Sequence, residues 1–177
     1  FIGSTVSGPT VFNSWQEAGN NAAAGFGVQV TGTAGTVGVV NATSGHDETV
    51  SGAVSMYKWD VAGQAWATVA NTKNEVLSAG AYYRLYVRGD RTTDLSDNAA
   101  VHTATTLRAS GSLMQTSMVV TPGIANGEFF AVANPYQSKV LMESTATGTA
   151  ADMYYWDPNL GDNGSYSTIS IATGTAT

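Results

Sequence analysis

The side chains able to do chemistry are few and scattered among the 177 residues. Cysteine is absent, which removes disulfides, thiolate metal sites and a cysteine nucleophile together. The two histidines, His46 and His102, fall in loop-like stretches with no second histidine at metal-ligand spacing. His46 stands beside Asp47 and Glu48, and a solvated turn accounts for it better than zinc. Glycoside hydrolysis requires two carboxyl groups facing each other across a cleft. Glu17, Glu75, Glu128 and Glu143 lie on different predicted elements, and nothing in the sequence pairs them. Serine and threonine are abundant, yet no Gly-x-Ser-x-Gly elbow and no Ser/His/Asp grouping stands out. The chain therefore reads as non-catalytic.

Three other groups of residues invite a binding role. Asp157-Pro158-Asn159-Leu160-Gly161-Asp162-Asn163-Gly164 is rich in oxygen donors, and Asp157, Asn159 and Asp162 are the candidate ligands for Ca²⁺. The stretch lacks the Asp-x-Asp-x-Asp-Gly pattern with its distal Glu, and its Asx and Gly residues equally suit a long hairpin turn. Arg88-Gly89-Asp90 spells an adhesive tripeptide, but the arginine ends a predicted strand and Gly-Asp starts its turn, so a structural role suffices. Arg84, Arg88 and Arg91 are expected to pair with Asp90, Asp94 or Asp97. The aromatic residues are the third resource: Trp15, Trp59, Trp66, Trp156 and eight tyrosines. Rings on a β face can stack on sugars, although core and cross-strand packing uses the same residues. Tyr82, Tyr86, Tyr136 and Tyr155 sit on the more polar predicted faces and are the candidate ligand-binding residues.

The elements that must position these residues are strands. Helix-weakening glycine occurs 20 times, and no segment sustains a 3.6-residue apolar period between caps. Short alternating runs separated by Gly, Asn, Asp and Pro predict an all-β, sandwich-like fold. Gly25 to Thr31 is expected to be a strand with Phe26, Val28 and Val30 inward and Gln29 and Thr31 towards water. In Tyr82 to Arg88, Tyr83, Leu85 and Val87 form one face and Tyr82, Arg84, Tyr86 and Arg88 the other. Further strands are expected at 54–59, 66–71, 105–113, 117–121, 129–133, 140–142, 153–156 and 166–171, and a short turn of helix around Trp15. An internal echo links Met56-Tyr57-Lys58-Trp59-Asp60 with Met153-Tyr154-Tyr155-Trp156-Asp157. Each is followed by a Gly-containing loop and an aromatic strand start, Trp66 or Tyr166, as in two related hairpins. This suggests two β units in tandem, 1–100 and 101–177.

Composition narrows the setting. Charged residues make up 11%, against roughly 25% in an average soluble domain. Small uncharged side chains replace them, and such surfaces lose little entropy or hydration when another chain covers them. The net charge of −6, with no basic run, argues against nucleic acid and anionic lipid as partners. No apolar stretch approaches the ~20 residues of a membrane-spanning helix. The start at Phe1, without Met or a signal-like segment, and the linker-like Ala172-Thr173-Gly174-Thr175-Ala176-Thr177 suggest an excised piece of a longer polypeptide.

Several of these strings, taken in order, resemble a β-rich region of large surface or secreted proteins of Bacteroidetes-type bacteria exported by the type IX secretion system. They are Gly25 to Gly32, Met56 to Trp59, Ala79 to Arg91, Val132-Ala133-Asn134-Pro135-Tyr136-Gln137 and Tyr155-Trp156-Asp157-Pro158. The resemblance spans roughly Trp15 to Thr168. It implies export and display at the cell surface, and it carries no catalytic residues to transfer. The expected function is a non-catalytic extracellular structural or interaction module of a surface protein, fibre or adhesin. The alternative is a carbohydrate-binding module using aromatic residues on a β face. Expected partners are other copies of the chain, other surface-protein chains, or glycans; no cofactor other than calcium is implied.

Overall fold

The structure is a computed structural model that describes residues 1–19, 23–118, 123–140, 152–162, 164–170 and 175–176. The chain is all-β, with no helix among the described residues. It divides into two compact units, Phe1–Gln137 and Ser138–Thr177. The division does not fall near residue 100, because the chain after that point returns to the first unit. Thr106 bridges Phe26, Leu113 pairs with Val6, and the Ala133 amide donates to the Gly80 carbonyl at 2.9 Å.

The first unit holds β1 (Ile2–Gly3), β2 (Val6–Ser7), β3 (Thr31–Ala34), β4 (Asp47–Thr49), β5 (Met56–Asp60), β6 (Ala65–Thr68), β7 (Tyr82–Leu85) and β8 (Ser112–Leu113). Its main sheet is antiparallel, in the order β1-β7-β5-β6. The pairs β2–β8 and β3–β4 form two smaller ribbons, the latter parallel with an irregularity between Thr31 and Thr33. Alternation selects the inner face of the main sheet, where Met56 and Tyr83 are buried. They join Val11, Trp15, Val28, Val30, Val69 and Leu77 in one core. Each such side chain contributes about 1.5–3 kcal/mol when fully buried. The layer facing the sheet is mostly turns and extended chain. Trp15 belongs to a run of tight turns over residues 11–16 rather than a helix.

Gly25 to Val30 is not a strand, with left-handed φ at Gly25 and Gly27; β3 begins only at Thr31. Val28 and Val30 are buried, as alternation requires, yet no neighbouring strand completes a ladder. The Val28 amide donates to the Trp15 carbonyl and the Val30 amide to the Asp47 carboxylate, so turns and side chains replace a sheet partner. Thr31 does not face water: it is buried, and its hydroxyl donates to the Ala53 carbonyl. Likewise 129–133 forms no ladder. The Phe129 amide donates to Gln64 Oε1, and its carbonyl accepts from Trp59 Nε1 and Gln64 Nε2. Of the expected strand 105–113, only β8 and the Thr106 bridge form. Residues 117–118 are not a strand, and the remainder of 117–121, like 141–142, lies outside the described residues.

The second unit is a three-stranded antiparallel sheet of β9 (Asp152–Asp157), β10 (Ser165–Ser170) and β11 (Thr175–Ala176), in the order β11-β10-β9. Its hairpin reproduces the one in the first unit. Trp59 lies opposite Trp66 with rings 5.6 Å apart at 78°, and Trp156 lies opposite Tyr166 with rings 5.1 Å apart at 80°. In both, an edge-to-face aromatic pair sits beside an Asp that opens the turn.

Candidate functional site

The charged residues that sequence reasoning left unpaired are mostly used inside the first unit. Asp47 is buried and receives four hydrogen bonds. The donors are Gln16 Nε2 at 2.9 Å, the Val30 amide at 2.9 Å, and Arg91 Nη1 and Nη2 at 3.1 and 2.6 Å. The bidentate geometry matches a planar guanidinium to a carboxylate. Arg91 therefore pairs with Asp47 rather than with Asp90, Asp94 or Asp97. Gly27, at φ +70°, lets this network close: a Cβ there would meet the Gln16 carbonyl at 3.0 Å and Arg91 Cδ at 3.3 Å. Glu17 pairs with Arg108 Nη2 at 2.5 Å, and that guanidinium lies 3.8 Å from the Phe26 ring centroid. The hydrogen bond from Arg108 holds the Glu17 carboxyl below its ordinary pKa, against the opposing effect of burial.

His46 is buried, not solvated, at 3% exposure. Its Nε2 lies 3.0 Å from the Val69 carbonyl, which can only accept, so Nε2 carries the proton. Nδ1 then accepts from the Thr33 hydroxyl at 3.0 Å. Burial lowers the His46 pKa, offset in part by Val69 and the Asp47 charge. Glu75 bridges Lys58 Nζ at 2.7 Å and the buried Tyr83 hydroxyl at 3.0 Å. Burial, then the Glu75 charge, raises the Tyr83 pKa. Glu128 accepts from the Ala125 amide at 2.7 Å, and Glu143 lies outside the described residues.

Asp90 of the Arg-Gly-Asp string is 3% exposed, and its carboxylate accepts from the Gly25 amide, the Thr92 amide and hydroxyl, and the Thr103 hydroxyl. These bonds, led by the Thr92 hydroxyl, lower its pKa to about 2. Gly89 is needed at φ +151°, where a Cβ would collide with the Thr103 hydroxyl. Arg88 donates to the Asp97 carbonyl, not its carboxylate, at 2.6 Å. The tripeptide is thus a built-in turn.

The surface with unspent binding capacity is the outer face and free edge of the main sheet. Register places Tyr82 and Arg84 of β7, Tyr57 and Trp59 of β5, and Trp66 and Thr68 of β6 on that face. Phe1 stacks on Tyr82 with centroids 5.6 Å apart and planes 7° apart, and also contacts Trp66 at 5.6 Å. Tyr82 is therefore half-buried in an aromatic cluster, whereas Tyr86 is 55% exposed. Arg84 lies 5.3 Å from both the Tyr57 and the Tyr86 ring centroids, and its Nη2 donates to Tyr86 Oη at 2.8 Å. Arg84, too, pairs with rings rather than with the expected acids.

Tyr136 does not join this face. The Tyr136 hydroxyl accepts from the Met118 amide at 3.0 Å and donates to the Thr116 carbonyl at 2.8 Å, which ties two stretches of chain together. Tyr155 is exposed on β9 in the second unit. In the candidate calcium loop, Asp157 Oδ1 accepts from the Asn159 amide at 2.9 Å, an Asx turn; Asp162 is exposed, and Asn163 lies outside the described residues.

The free edge is β6. The Val69 amide donates to the Met56 carbonyl, so Ala65, Ala67 and Val69 turn their main-chain groups towards β5. Trp66 and Thr68 turn theirs away, and β6 has a ladder partner on one side only among the described residues. From Val61 to Thr72 there is no charged residue and no proline. Comparison with protein-family models, curated proteins and solved structures finds no match to this chain.

Proposed function

We propose that the chain is a non-catalytic extracellular module of a bacterial surface protein, fibre or adhesin, and that it joins further copies of itself by strand addition at β6. The carrying observation is the uncharged β6 edge, whose Trp66 and Thr68 main-chain groups point away from their own sheet. Natural sheets blunt such edges with lysine, proline or a bulge, and this one has none of these. Antiparallel pairing of β6 with its symmetry mate would complete those hydrogen bonds across a two-fold axis. The low charge of the chain and its resemblance to exported surface proteins support the same reading.

The test is association of the purified chain, followed by sedimentation and electron microscopy. Thr68→Pro removes an outward N–H and leaves the bonds to β5 in place. Thr68→Lys adds the edge charge that natural sheets use. Both variants are expected to lower association at least tenfold while the unfolding free energy in urea stays within about 0.5 kcal/mol of the parent. A parent chain that stays monomeric at every concentration, or variants that associate fully, would overturn the proposal.

A further inference from the structure

Arg84 occupies an unusual position for a cation in so acidic a chain. Three ion pairs occupy Lys58, Arg91 and Arg108, and Arg88 is spent on the Asp97 carbonyl. Arg84 has no carboxylate partner among the described residues, and its one protein acceptor is the Tyr86 hydroxyl. The rings of Tyr57 and Tyr86, each 5.3 Å from the guanidinium, fix it in place on the outer face of the sheet. A guanidinium carries five N–H donors, so its fork remains able to take a carboxylate in bidentate fashion. Held by two rings, it loses less freedom on binding than a mobile side chain would.

The ligand can be narrowed further. β7 is paired on both sides, by β1 and β5, so a peptide cannot add a strand beside Arg84 and would have to be held by side chains alone. What the surface offers is one fixed guanidinium beside flat tyrosine rings. Tyr86 follows Arg84 by two residues, just past the end of β7, which at strand spacing is about 6.7 Å. That spacing lets one saccharide ring lie against tyrosine while its own carboxylate, or its neighbour's, meets the guanidinium.

We infer that Arg84, with Tyr57 and Tyr86, forms a binding site for a carboxylated polysaccharide, a polyuronate. The site lies on the face of the main sheet and is separate from the β6 edge.

The test is affinity electrophoresis of the full chain in gels containing polygalacturonate, its fully methyl-esterified form, or poly-L-glutamate. The ester keeps the sugar and removes the charge; polyglutamate keeps the charge and removes the sugar. Retardation by polygalacturonate alone is expected. Arg84→Gln should weaken it at least tenfold, Arg84→Lys several-fold through loss of the planar fork, and Tyr86→Ala several-fold through loss of the ring. Circular dichroism and the urea midpoint of each variant verify that the sheet is intact. Equal retardation by the ester or by polyglutamate, no retardation by polygalacturonate, or a folded Arg84→Gln chain that binds as the parent does, would overturn the assignment.

Discussion

His46 and Asp47 are adjacent in sequence and divide two opposite tasks. Asp47 sits in a nearly solvent-free position where four donors, two of them from the Arg91 guanidinium, surround its carboxylate. Removing one member of such a pair leaves the other charge buried and uncompensated. Asp47→Asn is therefore expected to destabilise the chain by about 3–5 kcal/mol in urea unfolding at neutral pH. A loss below about 1 kcal/mol would mean that the pair is replaceable. His46 is instead held neutral. Its pKa is lowered in the folded chain, so the unfolded chain binds more protons as pH falls below the ordinary histidine value of about 6.5. The stability it contributes is complete above that value and is lost as pH falls from there towards the folded pKa. Urea midpoints should fall between about pH 7 and pH 5, and His46→Gln should flatten that part of the curve. An unchanged slope in the variant would show that His46 is not the titrating group. Neither role was visible in the sequence, since His46-Asp47-Glu48 reads as a polar turn until Arg91 and Gln16 are brought to it from distant positions.

At the scale of elements, the hairpins were the most legible part of the chain. Local alternation and a turn-opening Asp suffice to form β5–β6 and β9–β10, and the echo between Met56–Asp60 and Met153–Asp157 marks the same aromatic pairing beside the turn. Trp59 and Trp66 should accordingly be coupled. A double-mutant cycle to alanine is expected to give an interaction of about 0.5–1.5 kcal/mol beyond the separate losses; a coupling near zero would reduce the ring contact to simple burial. Segments without a local partner were the least legible. Gly25 to Val30 and Phe129 to Ala133 carry strand-like alternation, and burial follows it at Val28 and Val30. Their main-chain groups, however, are satisfied by Trp15, Asp47, Gln64 and Gly80, which lie far away in sequence. Alternation reports which side of the chain is inward, not what its N–H and C=O groups will find. The same limit applies to the candidate site: periodicity sets Tyr82 on the face opposite the buried Tyr83, as the register does. The stacking of Phe1 on Tyr82, and the seat of Arg84 between Tyr57 and Tyr86, required the registers of β1 and β5.

For the whole molecule, scarcity of charge means that its two outward surfaces should respond differently to ions. Association through β6 rests on main-chain hydrogen bonds and on short uncharged side chains, with no ion pair across the edge. Capture of a polyuronate rests on one guanidinium meeting a line of carboxylates. Raising the salt from about 0.1 M to about 1 M shortens the Debye length from about 10 Å to about 3 Å. Sedimentation of the chain alone should change by less than twofold over that range. Retardation by polygalacturonate should fall several-fold over the same range. Because β6 and Arg84 lie on one sheet, unfolding of that sheet would abolish both together and would also move the urea midpoint. A salt series in which both readouts decline in parallel, with the midpoint unchanged, would place the self-association on charged groups and remove β6 as its seat.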